Sequence, residues 1–291
     1  MRVHRSDEGG DGGVGASRQA GGGDPGAGGS RQAGGGDPGA GGLLLTVVGC
    51  AAAWTDVAGR ASSAYLVELG DDAILLDMGQ GSYGWLASMR DPASLAAVLI
   101  SHAHPDHCID LVPLRHYLKF GMPAPRTVDL HGPADLRARF DGLTAEVDFL
   151  SALPGDPLVP GRLRVGGFAI DVAPVLHVNE SFAFRVSSAS DPTRPGLVYS
   201  GDCGRADDLL PLIQPGDTLL VEASYGGGPI EPGPNHLNAS EAARVAAEGR
   251  AGRLVLTHIM DGFDPDASRA AASRVFAGEV LAAAPGLRIA I

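Results

Sequence analysis

The sequence is short of lysine and cysteine and has no long apolar run. Its 22 basic residues include a single lysine, Lys119, and the formal net charge is −12 at pH 7, which disfavours nonspecific binding to nucleic acid or anionic membranes. The three cysteines lack the spacing of a disulfide framework and fit a reducing compartment. No apolar run approaches the roughly 18 residues of a transmembrane helix. We therefore expect a cytoplasmic protein that binds no membrane and does not bind nucleic acid stably.

The first 42 residues lack aromatic side chains and are dominated by glycine. They hold 17 of the 43 glycines, and the 13-residue sequence of 17–29 recurs unchanged in 30–42. Such a segment cannot bury enough surface to offset the entropy of ordering it. We expect a disordered tail over 1–42 and a folded domain over 43–291, which is long enough to bury a substantial core.

The remainder of the chain alternates apolar runs with turn and helix signals. Short apolar runs predict strands, and 95–100 is one of them. Helical spacing predicts a helix over 108–120, and Asn238 with Glu241 predicts a capping box for a helix that ends near Glu248. Asp264 followed by proline predicts a further helix, to about residue 284. Meanders followed by strand–helix alternation, twice over, predict an α/β fold of two sheets with helices packed outside them.

One short run directly after the strand 95–100 concentrates metal-binding chemistry. It reads His102-Ala103-His104-Pro105-Asp106-His107. Imidazole and carboxylate together suit zinc, manganese or iron. Alternation along the strand end places His102 and His104 on one face, and the turn at Pro105 leaves Asp106 and His107 free to face a second ion. The alternative is a histidine-rich surface loop.

Four more candidate groups end predicted strands or open the loops that follow them. They are His177, Asp202, His236 and His258. Strand ends commonly carry active-site groups, because the sheet holds them rigidly while loops leave them accessible. A buried core histidine would explain any one of these positions, but it does not explain the set.

Together these segments resemble the metallo-β-lactamase superfamily, and more closely its ribonuclease Z-like phosphodiesterase branch. Besides the run 102–107, the matching segments are Val175-Leu176-His177 with Glu180-Ser181-Phe182, Tyr199-Ser200-Gly201-Asp202, Val221-Glu222-Ala223-Ser224, His236-Leu237-Asn238-Ala239-Ser240-Glu241-Ala242 and Leu256-Thr257-His258. The resemblance spans residues 43–291. It implies an αββα sandwich, with two mixed β-sheets and helices on the outer faces.

The resemblance also implies a centre of two divalent metal ions, zinc in the first place and manganese or iron as alternatives. Residues matching His102, His104 and His177 hold the first ion in similar enzymes. The second ion is held by residues matching Asp106, His107 and His258, and Asp202 bridges the two. Asp106 then orients the attacking hydroxide.

The resemblance assigns His236 to transition-state charge or to protonation of the leaving group, against the alternative of a packing residue before the helix. Leu237 stands where an acidic residue normally partners that histidine. Asp77 is either a carboxylate that orients a ligand histidine or a turn-stabilising residue. Glu222 ends a strand and could reach the site. Cys108 and Cys203 adjoin the ligand positions, and we interpret them as packing residues.

Three functions remain open. The first is metal-dependent hydrolysis of a small phosphodiester, with a cyclic nucleotide as the leading substrate, because the chain resembles small arm-less bacterial members similar to atypical cyclic-nucleotide phosphodiesterases. The second is processing of tRNA 3′ ends; many such enzymes carry a tRNA-gripping arm between the residues matching His177 and Asp202, and only 24 residues lie between them here. The third is a metal-binding or sensor protein without hydrolase activity. Similar proteins are commonly homodimers, although no feature of this sequence demands one.

Overall fold

A computed structural model describes Gly39 and residues 41–55, 57–228 and 235–291. These residues belong to one compact unit, Gln32–Ile291. The predicted disordered tail over 1–42 falls almost entirely outside the described residues.

The first sheet has six strands and is mixed. Its strands are β1 (Leu44–Gly49), β2 (Ala64–Leu69), β3 (Asp72–Leu76), β4 (Ala97–Leu99), β5 (Asp129–His131) and β13 (Arg288–Ala290), in the spatial order β13-β1-β2-β3-β4-β5. The pairs from β13 to β3 are antiparallel, whereas β3, β4 and β5 run parallel. Gly70, with φ +59°, and Asp71 form the tight turn that joins β2 and β3 into a hairpin.

The second sheet has seven strands and divides into an antiparallel half and a parallel half. Its strands are β6 (Gly161–Val165), β7 (Phe168–Pro174), β8 (Phe182–Ser188), β9 (Leu197–Tyr199), β10 (Thr218–Glu222), β11 (Arg253–Thr257) and β12 (Glu279–Ala282), in the order β12-β11-β10-β9-β8-β7-β6. Neighbours from β6 to β9 are antiparallel, and those from β9 to β12 are parallel.

Helices cover the outer face of each sheet. They are α1 (Ser82–Met89), α2 (Pro105–Cys108), α3 (Leu111–His116), α4 (Leu136–Thr144), α5 (Ala239–Glu248) and α6 (Pro265–Ser273). Side chains of α1, α3 and α4 pack on the first sheet, and those of α5 and α6 pack on the second. In the part of the chain that the structure describes, no helix is long and apolar enough to span a membrane.

The strands are apolar on both faces because both faces are covered. Within β10, Leu220 belongs to the core between the sheets, while Leu219 and Val221 pack against the helices outside. In the same way Ile74 of β3 faces inward and Leu75 faces outward. Alternate residues of a strand point to opposite faces, so a run without polar positions indicates a strand buried on both sides. The predicted αββα sandwich is thereby confirmed.

The prediction of a helix from Asp264 to about residue 284 is wrong for the second half of that segment. Helix α6 ends at Ser273, and residues 279–282 form the edge strand β12, parallel to β11. This segment is rich in alanine, the strongest helix former, so its local preference opposes the strand. Pairing with β11 and burial of Val280 against the α5–α6 layer decide the outcome.

The helix predicted over 108–120 is interrupted near its start. Helix α2 ends at Cys108, and the Asp110 N–H turns away to the carbonyl of Met78 before α3 begins at Leu111. Pro113 explains the break, because proline lacks an N–H and is tolerated only in the first turn of a helix.

The capping box of α5 is confirmed. The Asn238 side chain accepts from the backbone N–H groups of Ser240 and Glu241, and the Glu241 carboxylate accepts from the Asn238 N–H at 2.9 Å. Helix α5 ends at Glu248, as predicted. The box fixes the direction of the chain just after His236 and so contributes to the position of that side chain.

Candidate metal centre

The predicted site residues meet at one edge of the sandwich, where the parallel strands of both sheets end. His102 follows β4, Asp202 follows β9 and His258 follows β11, while Asp106 and His107 lie in the short helix α2. His177 follows β7, which runs in the same direction as β9. Carboxyl ends of parallel strands gather at the same edge of a sheet, and these chain segments converge for that reason.

Donor atoms of the predicted ligands form groups compact enough to hold a metal ion. Within each group the donor atoms lie within 4.8 Å of one another, and the groups are His102, His104, His177 and Asp202; Asp106, His107 and His258; and Asp202, His236 and His258. Every residue predicted as a ligand belongs to at least one group. The first two groups match the two ion sites that the resemblance implies.

Asp202 lies between the first two groups, and its two carboxylate oxygens face different sets of histidines. Oδ1 is 3.2 Å from Nε2 of His107 and 3.5 Å from Nε2 of His258. Oδ2 is 3.7 Å from Nε2 of both His102 and His177. A carboxylate oriented in this way can bind one ion through each oxygen.

Hydrogen bonds directly fix the tautomers of two histidines that are predicted ligands. Nδ1 of His107 is 2.7 Å from Oδ2 of Asp77, and Nδ1 of His177 is 2.7 Å from the carbonyl oxygen of Asn235. A carboxylate and a carbonyl only accept, so each Nδ1 donates and each neutral ring presents an Nε2 lone pair to the site. Asp77 therefore orients His107, one of the predicted ligands, which is the first of the two roles considered for it.

Two serines fix two further histidines indirectly. The Ser101 hydroxyl donates to Asp77 at 2.7 Å, so it accepts from Nδ1 of His102 at 3.1 Å. The Ser224 hydroxyl donates to Oε2 of Glu222 at 2.6 Å, so it accepts from Nδ1 of His258 at 2.9 Å. Both rings then direct an Nε2 lone pair into the centre. Sequence reasoning singled out neither serine.

A bound cation would satisfy several nitrogen and oxygen atoms in the centre. Nε2 of His102 and Oδ1 of Asp202 are buried without a hydrogen-bond partner among the described residues. Nε2 of His107 lies 3.2 Å from Nε2 of His258, although the tautomers just described give both atoms lone pairs. Buried polar atoms without partners are costly, and neutral imidazole with carboxylate is a donor set that suits divalent metals. The residues present therefore fit a divalent metal centre.

His236 stands beside the centre with a carboxylate of its own. Its Nδ1 is 2.9 Å from Oε1 of Glu222 and 3.9 Å from Asp202. Burial disfavours the imidazolium, but the hydrogen bond and charge of Glu222 outweigh that effect and raise the pKa of His236. The sequence signal for Glu222 was a glutamate ending an apolar strand, a residue type that is rarely buried unless it is paired. Glu222 thus supplies the carboxylate partner of His236 that Leu237 cannot supply.

A backbone contact positions Asp106. The Ala53 N–H, in the loop after β1, donates to Oδ2 of Asp106 at 2.8 Å. The same oxygen lies 3.2 Å from Nε2 of His258. One side of this carboxylate is thus held by the loop, and the other faces the donor groups.

The cysteines next to the ligands are packing residues. Burial raises the pKa of both the Cys108 and the Cys203 thiol to about 12. The Cys108 thiol donates to the carbonyl of His104, and the Cys203 thiol to that of Arg205. Neither belongs to a donor group, and both lie within apolar clusters.

The fold and the donor geometry define a metallo-hydrolase of the β-lactamase type, and comparison with known proteins agrees. A family model described as the beta-lactamase superfamily domain matches residues 74–259, and the chain belongs to this family.

The relatives include a probable metallo-hydrolase and a ribonuclease Z. The chain is 30% identical over 248 residues to "Probable metallo-hydrolase YhfI" of Bacillus subtilis, covering 83% of this chain and 97% of that protein. The crystal structure of that metallo-beta-lactamase fold protein superimposes with a TM-score of 0.76 at 29% identity, over 86% of this chain and 100% of the other. Ribonuclease Z of Myxococcus xanthus is 27% identical over 279 residues, covering 78% of this chain and 90% of that protein.

Proposed function

We propose that this protein is a phosphodiesterase that uses two divalent metal ions to hydrolyse a small phosphodiester, with cyclic nucleotides as the leading substrate class. One observation carries the proposal. The two oxygens of Asp202 face two separate donor groups, and His236 stands within 3.9 Å of the same carboxylate without belonging to either of the two. Two adjacent cation sites with a proton donor beside them suit in-line hydrolysis of a phosphodiester.

The residues divide between the two ions as the resemblance implies. His102, His104 and His177 would hold one ion. Asp106, His107 and His258 would hold the other, and Asp202 would bridge them. Bound there, the ions supply an activated water and neutralise charge on the phosphate oxygens. Zinc suits this donor set best, with manganese or iron as alternatives.

Two side chains then handle the protons. Asp106, held by the Ala53 N–H, accepts a hydrogen bond from the attacking water and orients it toward phosphorus. His236, held by Glu222, donates a proton from Nε2 to the departing oxygen. The raised pKa of His236 favours this role, because the imidazole stays protonated to a higher pH than an isolated histidine.

The segment between His177 and Asp202 supports a small substrate rather than tRNA. Strand β8 ends at Ser188 and β9 begins at Leu197, so only a short loop joins them, without room for a protruding arm. The single lysine and the net charge of −12 also oppose the grip on many phosphates that tRNA binding needs. Because one relative is named ribonuclease Z, tRNA 3′-end processing is the second candidate function.

The proposed location is the cytoplasm. Cys50, Cys108 and Cys203 are all free thiols. Thiols that persist unpaired fit a reducing compartment.

Hydrolysis of 3′,5′-cyclic AMP by the full-length, metal-loaded protein tests the proposed function. We expect conversion to AMP that is lost on treatment with a chelator and restored by zinc or manganese. Precursor tRNA and linear dinucleotides serve as parallel substrates. Cleavage of precursor tRNA alone would favour the processing function, and two bound metals without any hydrolysis would favour a sensor.

Replacing His236 with alanine is expected to lower kcat for cyclic AMP by about 10²-fold, because general acid catalysis contributes on this scale. Metal content should stay that of the wild type, since the proposed ligands remain. Steady-state kinetics and elemental analysis on the same preparation measure both quantities. The matched control is His116→Ala, which removes an exposed histidine of α3 and should change neither. Loss of metal in parallel with activity would instead make His236 a ligand.

A further inference from the structure

A cavity of about 210 Å³ lies next to the candidate metal centre. It lies where the loop after β1, the loop after β11 and the segment after β12 meet. Most of its lining is apolar and includes Ala51, Leu256, Ile259, Pro265 and Ala284. None of the predicted site residues other than His258 lines it.

His258 joins this cavity to the metal centre. His258 lines the cavity, while its Nε2 faces Asp106 at 3.2 Å and Asp202 at 3.5 Å. A phosphodiester bound at the centre therefore has the cavity one side chain away. In a cyclic nucleotide the base lies close to the phosphate. A base can therefore reach this cavity while the phosphate is bound at the centre.

The size and lining of the cavity suit a flat aromatic group. An apolar cavity of about 150 Å³ is large enough to bind benzene, so this one has room for more than a single ring. The few polar side chains in the lining are already engaged. The Thr257 hydroxyl is 2.7 Å from that of Tyr65, and the Cys50 thiol donates to the carbonyl of Ala283 at 3.6 Å.

A positively charged side chain, that of Arg60, forms part of the cavity wall. Nη1 of Arg60 is 3.3 Å from Oδ1 of Asp261. This contact joins the loop after β1 to the loop after β11 and limits the freedom of the guanidinium. A guanidinium plane stacks readily on a heteroaromatic ring.

We propose that this cavity is the nucleobase subsite of the enzyme, with Arg60 packing against the base. The assignment rests on the proposed function, because it concerns the non-reacting part of a nucleotide substrate. Apolar contact and stacking discriminate weakly among bases, since every base has a π-face. Cyclic AMP, cyclic GMP and cyclic CMP should therefore have kcat/KM values within about tenfold of one another.

Filling the cavity tests the assignment. Ala284 is exposed at its edge, so Ala284→Phe can occupy the space without disturbing the core. We expect KM for cyclic AMP to rise by at least about tenfold while kcat changes by less than about threefold, as for a lost binding contact remote from the reacting bond. The control Ala277→Phe adds the same ring at an exposed position that does not line the cavity, and should leave KM unchanged.

A second variant and a binding measurement separate this proposal from the proposed function. Ala283→Leu fills the cavity from a half-buried position of its lining. Adenosine, which carries no phosphate, is titrated by calorimetry into each protein. Adenosine binding by the wild type that both filling variants abolish supports the subsite even if no cyclic nucleotide is hydrolysed. Hydrolysis of cyclic AMP by the wild type with KM and adenosine affinity unchanged in both variants overturns the subsite and leaves the phosphodiesterase standing.

Discussion

An Asp202→Asn variant is expected to lose at least about 10³-fold in phosphodiester hydrolysis and to retain fewer bound metal ions than the wild type. The cause is geometric. Oδ1 of Asp202 faces His107 and His258, whereas Oδ2 faces His102 and His177. Asparagine keeps the shape but replaces one of these oxygens with an amide nitrogen that cannot bind a metal, and it removes the negative charge between the two sites.

Elemental analysis and hydrolysis of cyclic AMP on one preparation check this expectation. Circular dichroism of the same sample establishes that the variant is folded. Asp207→Asn is the matched control, because Asp207 is largely exposed and pairs with Arg244 on the surface, so it should retain full metal content and activity. Wild-type metal content and activity in Asp202→Asn would contradict the bridging role.

An Asp77→Asn variant is expected to be destabilised by about 3 kcal/mol and to bind metal about 10- to 100-fold more weakly. The fully buried Asp77 carboxylate accepts from Ser101 N–H at 2.6 Å, from Ser101 Oγ at 2.7 Å, from His107 Nδ1 at 2.7 Å and from Tyr199 OH at 2.6 Å. An amide has only one acceptor oxygen, so its NH₂ would meet donors. The backbone at residue 77 has φ +58°, which asparagine tolerates, so the side chain alone is tested.

Urea unfolding of metal-free protein measures the stability change, and competition with a chelator measures the metal affinity. Tyr199→Phe is the control, because it removes one of the four hydrogen-bond donors without adding a polar group, and it should cost about 2 kcal/mol. If Asp77→Asn costs no more than Tyr199→Phe, the carboxylate does not hold the site together.

Local sequence signals were sufficient to predict which histidines and aspartates the structure brings together, and most of the strands. The run from His102 to His107 follows an apolar strand directly, so both the residue types and their place in the fold could be predicted from one stretch of chain. His177, Asp202 and His258 could be found because each ends an apolar run, and the ends of parallel strands meet at one edge of the sheet.

The contacts behind the ligands could not be predicted in the same way. Glu222 reaches His236, and Ser224 reaches His258, only after β10, β11 and the start of α5 have packed together. No spacing in the sequence encodes those distances. The assignment of β12 failed for a related reason, because its alanines favour a helix locally and only the neighbouring strand β11 makes an extended conformation preferable.

The hydrogen bond from Tyr199 to Asp77 links the candidate metal centre to the interior of the protein. Tyr199 ends β9 in the second sheet, whereas Asp77 directly follows β3 in the first, and the Tyr199 ring also packs beside Tyr65 in the core between the sheets. Separation of the sheets must break this bond. It must also part Asp202 and His258, which follow strands of the second sheet, from His102 and His107, which follow β4 of the first. The centre and the sandwich thus form one cooperative unit. Substitutions deep between the sheets can therefore change the geometry of the candidate metal centre during evolution without replacing any residue in it.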